Sequence, residues 1–122
     1  ISVLVDNCLA KNEKKIIGIL NENNFTNEDS VLITRIFLNK TKKILKLSSE
    51  FEKNRDIDMT INSSKPPIFW KDKEIIKQQI KNWSPSNARN LIYQINRIEL
   101  NIKKNMINSV NLLSDFIMEQ AS

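Results

Sequence analysis

Apolar residues along this chain recur every three or four positions, and no window alternates apolar with polar residues for long enough to suggest a strand. That period predicts a chain of helices. The first covers Ser2 to Ala10, with Val3, Leu4, Val5, Cys8 and Leu9 as its apolar face. Asn12 suits the N-cap of a second, from Glu13 to about Glu22, with Ile16, Ile17, Ile19 and Leu20 inward and Asn23-Asn24 ending it. A third and longest helix is expected after Asn27 as N-cap, with Glu28 and Asp29 favoured in its first turn by the helix dipole and Ile33, Ile36, Phe37, Ile44, Leu47 and Phe51 facing inward.

From Asn54 the apolar signal thins through Asp56, Asp58, Asn62, Ser63 and Ser64, and Pro66-Pro67 disfavours helix in the residue before it. Residues 54–71 therefore read as a connector, with one short helical turn near Asp58 to Asn62. A fourth helix is expected from Asp72 to Asn82, carrying Ile75, Ile76, Gln79 and Ile80 toward Trp83. Ser84-Pro85 then starts a fifth: serine caps, and proline at the first position lacks only an N–H that has no helical partner there. This helix, Pro85 to about Lys104, holds one stripe at Ala88, Leu91, Ile92, Ile95, Ile98 and Ile102 and a second edge at Tyr93 and Leu100. Apolar residues on two faces mark a central helix, or one that meets a partner as well as its own core. Ser109 is the expected cap of a last helix to about Gln120, with Val110, Leu112, Leu113, Phe116 and Ile117 inward. The expected fold is all-α, a bundle of about five to six helices in a single domain over 1–122: helices one to three in 1–53, the connector in 54–71 and helices four to six in 72–122.

Composition narrows the chemistry more than the fold. At 122 residues, 40% of them hydrophobic, the chain is long enough to bury a core without disulfides or metal. No apolar run approaches the ~18 residues of a membrane span, and the opening residues are not expected to act as a signal peptide. The single cysteine, Cys8, has no thiol partner, so a reducing, cytoplasmic setting is the expectation. Ile1 in place of an initiator methionine, followed at once by a helical pattern, suggests a domain excised from a longer protein. Abundant Ile, Asn and Lys fit an AT-rich genome, which weakens the net charge of +5 as a pointer to nucleic acid.

Catalytic and cofactor chemistry finds no foothold. There is no histidine to act as base or ligand, one cysteine cannot make a zinc cluster, and Gly18 is the only glycine where a phosphate loop needs several. Asp56 and Asp58 lack the glycine and terminal glutamate of a calcium loop, and the plainer role is helix capping. No catalytic, cofactor-binding or metal residue is assigned. Two lysine groups, Lys42, Lys43 and Lys46 and then Lys71, Lys73, Lys77 and Lys81, are candidates for phosphate contact, although solvated lysine faces are the more ordinary outcome. Among the aromatics, helical spacing assigns Trp83 and Tyr93 to packing, and Phe69 and Trp70 to fastening the connector onto the bundle, rather than to stacking on bases.

The run Pro66-Pro67-Ile68-Phe69-Trp70-Lys71, then Gln79-x-x-x-Trp83-Ser84, then Glu99-Leu100-Asn101-Ile102-Lys103, resembles the closing segment of the delta subunit of bacterial DNA polymerase III in both order and spacing. The resemblance extends over nearly the whole chain, and its specific part is Pro66 to Lys103. It implies the C-terminal collar domain of a clamp-loader subunit, a non-catalytic part of the replicative polymerase assembly. Two AAA+-like domains would lie upstream, one of them gripping the sliding clamp. The collar would pack against the equivalent domains of other loader subunits, keeping them together while the clamp is opened and placed on primed DNA. Tyr93, Arg97 and Leu100 of the fifth helix, with Phe116 of the last, are the expected partner interface. Relatives can carry a DNA-facing aromatic just after the Glu-Leu-x-x-Lys motif. This chain has Lys104-Asn105-Met106 instead, leaving Lys103 and Lys104 as the candidates for weak phosphate contact with primer-template DNA. The alternative of a different class is a free-standing helical nucleic-acid-binding module. Steep salt sensitivity would mark that module, whereas an apolar collar contact should persist as salt rises.

Overall fold

Thr26 starts the longest helix, and it does so with a reciprocal pair of hydrogen bonds. The Asp29 amide donates to Thr26 Oγ1 at 3.1 Å and the Thr26 amide donates to Asp29 Oδ2 at 2.8 Å. This capping box fixes the start one residue before the expected Asn27, because the box requires an acidic residue three positions on and Asp29 supplies it. Asn27 and Ser109, both expected as caps, instead meet each other. The Ser109 hydroxyl donates to Asn27 Oδ1 at 2.9 Å, joining the beginnings of two helices that lie far apart in sequence. Ser109 is fully buried and belongs to its helix, while Asn108 occupies the cap position without a side-chain bond.

The computed structural model describes residues 2–122, and among them it is all-helical. In chain order the α-helices are α1 (Ser2–Leu9), α2 (Glu13–Glu22), α3 (Asn27–Asn54), α4 (Ile57–Asn62), α5 (Lys73–Asn82), α6 (Pro85–Lys104) and α7 (Ser109–Ala121). Short 3-10 turns at Trp70–Asp72 and Met106–Asn108 precede α5 and α7. The bundle thus has seven α-helices among the described residues, against the five to six expected. The additional one, α4, is the short turn expected near Asp58 to Asn62 within the connector. Six residues rarely hold a helix by propensity alone. Here Asp56 accepts the Met59 amide at 3.1 Å as N-cap, and Ile61 is buried against Leu47 and Ile80 in a small satellite core completed by Phe51, Ile57, Ile68 and Ile76. Burying one such isoleucine is worth about 1.5–3 kcal/mol, more than the propensity that a single turn lacks.

Helices α3 and α6 form the spine, in the most extensive contact of any pair, with α1 and α7 packed on α3 and α5 bridging α1, α3 and α4. The main core draws Leu4, Val5, Cys8 and Leu9 from α1, Ile33, Phe37 and Ile44 from α3, Leu91, Ile95 and Ile102 from α6, and Leu113 and Ile117 from α7. In α1 and α2, two expected inward residues are exposed. On α2 the inward stripe is Ile16, Ile19 and Leu20, spaced three and four apart, and Ile17 lies about 100° round the helix from Ile16. On α1 the exposed residue is Val3; Asn7 is buried instead, its amide donating to the Val3 carbonyl at 2.8 Å and its Oδ1 accepting from Asn12 at 3.0 Å.

With its lone glycine inside α2, the chain makes its left-handed turns from other residues: Lys11 and Arg55 both have φ 59°. Each costs about 1 kcal/mol relative to glycine. Lys11 is held by its ammonium lying 4.9 Å from the centre of the Trp83 ring, and Arg55 by closing α3 with its amide on the Phe51 carbonyl at 2.8 Å.

Candidate functional site

The residues of the Pro66–Lys103 signature divide into those that hold the fold and those that it leaves on the surface. Gln79 and Trp83 are anchors. Gln79 Nε2 donates to the Asp6 carbonyl at 2.9 Å, and Trp83 Nε1 donates to the Leu9 carbonyl at 2.8 Å, so the end of α5 is tied to the last turn of α1. Ser48 of α3 donates to the Trp83 carbonyl, drawing the spine into the same joint. Ser84 caps α6 by accepting the Asn87 amide at 3.2 Å, with Pro85 as its first residue. Ile102 is buried, and Glu99 accepts from Lys103 at 3.4 Å one turn on.

Phe69, Trp70 and Leu100 are the large hydrophobic signature residues that the core does not absorb. Trp70 is 69% exposed and Phe69 58%, contrary to the expectation that they fasten the connector. Ile68 does that fastening, since it is the residue of this segment packed on the satellite core. The two aromatic rings sit side by side, centroids 5.9 Å apart at 49°, and the Lys71 ammonium lies 5.5 Å from the Trp70 ring centre. Two aromatic faces and a cation are thereby presented together to solvent.

Tyr93 and Leu100 make the second surface. Tyr93 is 62% exposed and Leu100 56%, so Tyr93 does not pack inward as its spacing suggested. At 93, 97 and 100 the residues are one and two turns apart on one side of α6. Arg97 lies over the Tyr93 ring at 5.9 Å, which holds the guanidinium along the stripe. The opposite side of α6, with Leu91, Ile95 and Ile102, is fully occupied by the core. Phe116 is spent on that core: it is half-buried and meets Phe37 edge-on at 5.9 Å, so the structure does not bring it to the Tyr93 stripe as an exposed residue.

Lys103 and Lys104 close α6 beside an apolar tip that sequence pattern did not single out. Met106 is partly exposed and Ile107 88% exposed, in the turn between α6 and α7. A tip with an isoleucine left in water has no intrahelical partner for it, and periodicity cannot reveal such a residue because it falls between helices.

Elsewhere the titratable groups perform structural work. Lys40 pairs with Asp6 to clip α1 to α3. Lys77 reaches Asp58 at 2.8 Å and Glu74 at 3.3 Å, linking α5 to α4; its hydrogen bond and charge hold the Asp58 carboxyl below its ordinary range. Cys8 is buried beside the Ile117 carbonyl, and burial pushes its thiol up to about 12. Among the described residues no three His, Cys, Asp or Glu side chains converge as a metal site, and no helix is long and apolar enough to cross a membrane. A scan against protein-family models, a search of curated proteins and a search of solved structures each return no match to this chain.

Proposed function

We propose that this bundle is an assembly domain, the C-terminal collar of a DNA polymerase III delta subunit, which holds a clamp loader together and performs no chemical step itself. The observation that carries this reading is the Tyr93–Arg97–Leu100 stripe, an exposed aromatic, a stacked guanidinium and an exposed leucine on a helix whose other side is committed to the core. Tyrosine and arginine are the residue types that concentrate binding energy at protein interfaces. A stripe on a central helix is also held rigidly, so little ordering is needed on association. The signature residues agree with this: Gln79, Trp83 and Ser84 build the joint that sets α6 in place, and Leu100 then stands outward from it.

In this role the partners are the collar domains of other loader subunits, in the cytoplasm, and the sliding clamp is gripped by AAA+-like domains outside these residues. The test is co-elution of the chain with those collar domains in size-exclusion chromatography with light scattering. Association that persists from low to moderate salt supports the role, and absence of association at micromolar concentrations removes it.

A second reading rests on a different observation, the solvent-facing Phe69–Trp70 pair with Lys71 on the Trp70 ring. This is the combination that stacks on unpaired bases while neutralising phosphate, each stacked base being worth roughly 1–3 kcal/mol. It supports contact with single-stranded DNA, whether at a primer-template junction within the loader or by a free-standing module. Oligothymidylate should quench Trp70 fluorescence and leave the buried Trp83 emission in place. Unchanged emission at low salt would exclude this contact.

A further inference from the structure

Helix α3 carries a feature that neither the core nor the two surfaces above explain. At 100° per residue, Arg35, Lys42, Lys46 and Lys53 fall within about 40° of arc on the side away from Ile33, Phe37 and Ile44. All four are exposed. Asn39 and Ser49 occupy the intervening turns of the same row; the Asn39 side chain is exposed, and the Ser49 hydroxyl donates to the Leu45 carbonyl at 2.9 Å. The row runs about 27 Å along a continuous helix at 1.5 Å per residue. From Arg35 to Ser49 the sequence has five basic residues and no acidic one. Of those five, Lys40 is taken by Asp6; among the described residues, the other four, Arg35, Lys42, Lys43 and Lys46, and Lys53 beyond the window have no carboxylate within ion-pair distance. Two carboxylates share this side: Glu50 lies about 40° round the helix from Lys46, and Glu28 lies two turns before Arg35, at the start of the helix.

The contrast with the rest of the chain makes the row informative. Lys77 has Glu74 three positions before it and Lys103 has Glu99 four before it, each in contact, whereas Glu50, three before Lys53 and four after Lys46, pairs with neither among the described residues. Lys42 and Lys46 are instead four apart with like charge, an arrangement that mildly destabilises a helix. Arg35, Lys42 and Lys46 are also mid-helix, where the dipole gives cations no help; Lys53 alone lies in the last turn. Lys43 widens the row on one side.

We propose that this ridge of α3 is a contact surface for the phosphate backbone of duplex DNA. A rigid, straight row of donors with gaps of about 6–10 Å matches a strand whose phosphates recur every 3.4 Å of axis, within the reach of lysine and arginine side chains. No aromatic ring lies on the ridge, since Phe37 is buried and Phe51 packs on the satellite core. It therefore offers unpaired bases nothing to stack on, and the duplex backbone is the polyanion that it fits. The contact reads no sequence, because every partner is a phosphate oxygen. It is independent of the assembly role: it uses neither the α6 stripe nor the Phe69–Trp70 pair.

The experiment is fluorescence anisotropy of the chain with a labelled 20-base-pair duplex at several salt concentrations. Four phosphate contacts give a slope of log K against log salt of about −3.6, a loss of roughly 100-fold between 50 and 200 mM. The variant R35Q/K42Q/K46Q/K53Q should weaken binding at 50 mM at least tenfold and remove most of that slope. A control with the same net charge, K14Q/K15Q/K65Q/R89Q, should keep most of the slope, and circular dichroism checks that both remain helical. Equal losses in the two variants would reduce the effect to net charge and overturn the proposal, as would no duplex binding at 50 mM. If the ridge variant binds duplex normally and fails only in co-elution with loader subunits, the ridge meets a protein and the proposal is wrong. Failure of co-elution by the unmodified chain would instead strike the assembly role and leave the ridge standing.

Discussion

Replacing Trp83 by Phe keeps an aromatic ring in the core and deletes one hydrogen-bond donor. The acceptor it abandons is the Leu9 carbonyl, in the last turn of α1, where carbonyls have no partner within the helix. Apart from Trp83 Nε1 at 2.8 Å, that carbonyl has only the Asn82 amide at 3.5 Å. Stranding a buried acceptor costs about 1–3 kcal/mol, and with the bond itself and the smaller ring the expected loss is about 2–3 kcal/mol. Gln79→Met makes the informative comparison. It deletes a donor of similar length, 2.9 Å, but the Asp6 carbonyl keeps the Ala10 amide at 3.0 Å. Only the net worth of one hydrogen bond is then lost, about 0.5–1.5 kcal/mol. With a urea m-value of about 2 kcal/mol/M, the midpoint should fall by about 1–1.5 M for W83F and by less than about 0.75 M for Q79M. Far-UV circular dichroism during urea titration measures both. A W83F shift smaller than that of Q79M would refute the orphaned-carbonyl argument and leave the joint between α1 and α5 without its proposed cause.

Cys8 should resist alkylation by iodoacetamide at pH 8 in the native protein and react on unfolding, because burial holds its thiol up to about 12; rapid native labelling would contradict its placement. Asp58 should titrate by NMR below its ordinary 3.8, and Lys77→Gln should return it toward that value. Since its folded pKa is the lower one, its stabilising pairing is complete above the unfolded pKa and is lost as pH falls through the folded value. Arg55→Gly should stabilise the chain by up to about 1 kcal/mol, because glycine adopts φ 59° without the Cβ clash; a loss of stability would show that the arginine side chain matters more than its backbone.

Helix α6 was legible from end to end, since Ser84-Pro85 states its beginning in local chemistry and Lys103-Lys104 suits its end. The start of α3 was legible to within a residue: Asn27 and Thr26 are both competent caps, and the choice depends on Asp29 lying three residues after Thr26. That Asn27 is instead committed to Ser109 is a contact across 82 positions, which local pattern does not encode. Apolar period separates core from surface along a helix, so it found Ile33, Ile44 and Ile95. It set Tyr93 apart from the core stripe without showing that the ring stays exposed, and it could not tell that Ile68 rather than its aromatic neighbours seals the connector. The α6 stripe was visible as a second apolar edge, and the apolar period of the last helix placed Phe116 inward, where it meets Phe37. Ile107 and the exposed Phe69–Trp70 pair lie outside regular periodicity, and only the folded arrangement places them on the surface.

The assembly role is tested most directly by comparing the unmodified chain with Tyr93→Glu/Leu100→Glu in co-elution with the collar domains of prospective loader subunits at moderate salt. Both residues are more than half exposed, so the variant should keep its helical spectrum and its urea midpoint to within about 0.5 kcal/mol. The predicted result is a complex for the unmodified chain and none for the folded variant. Equal complex formation by the two would contradict the placement of the partner on the α6 stripe, and no complex with either would contradict the assembly role itself.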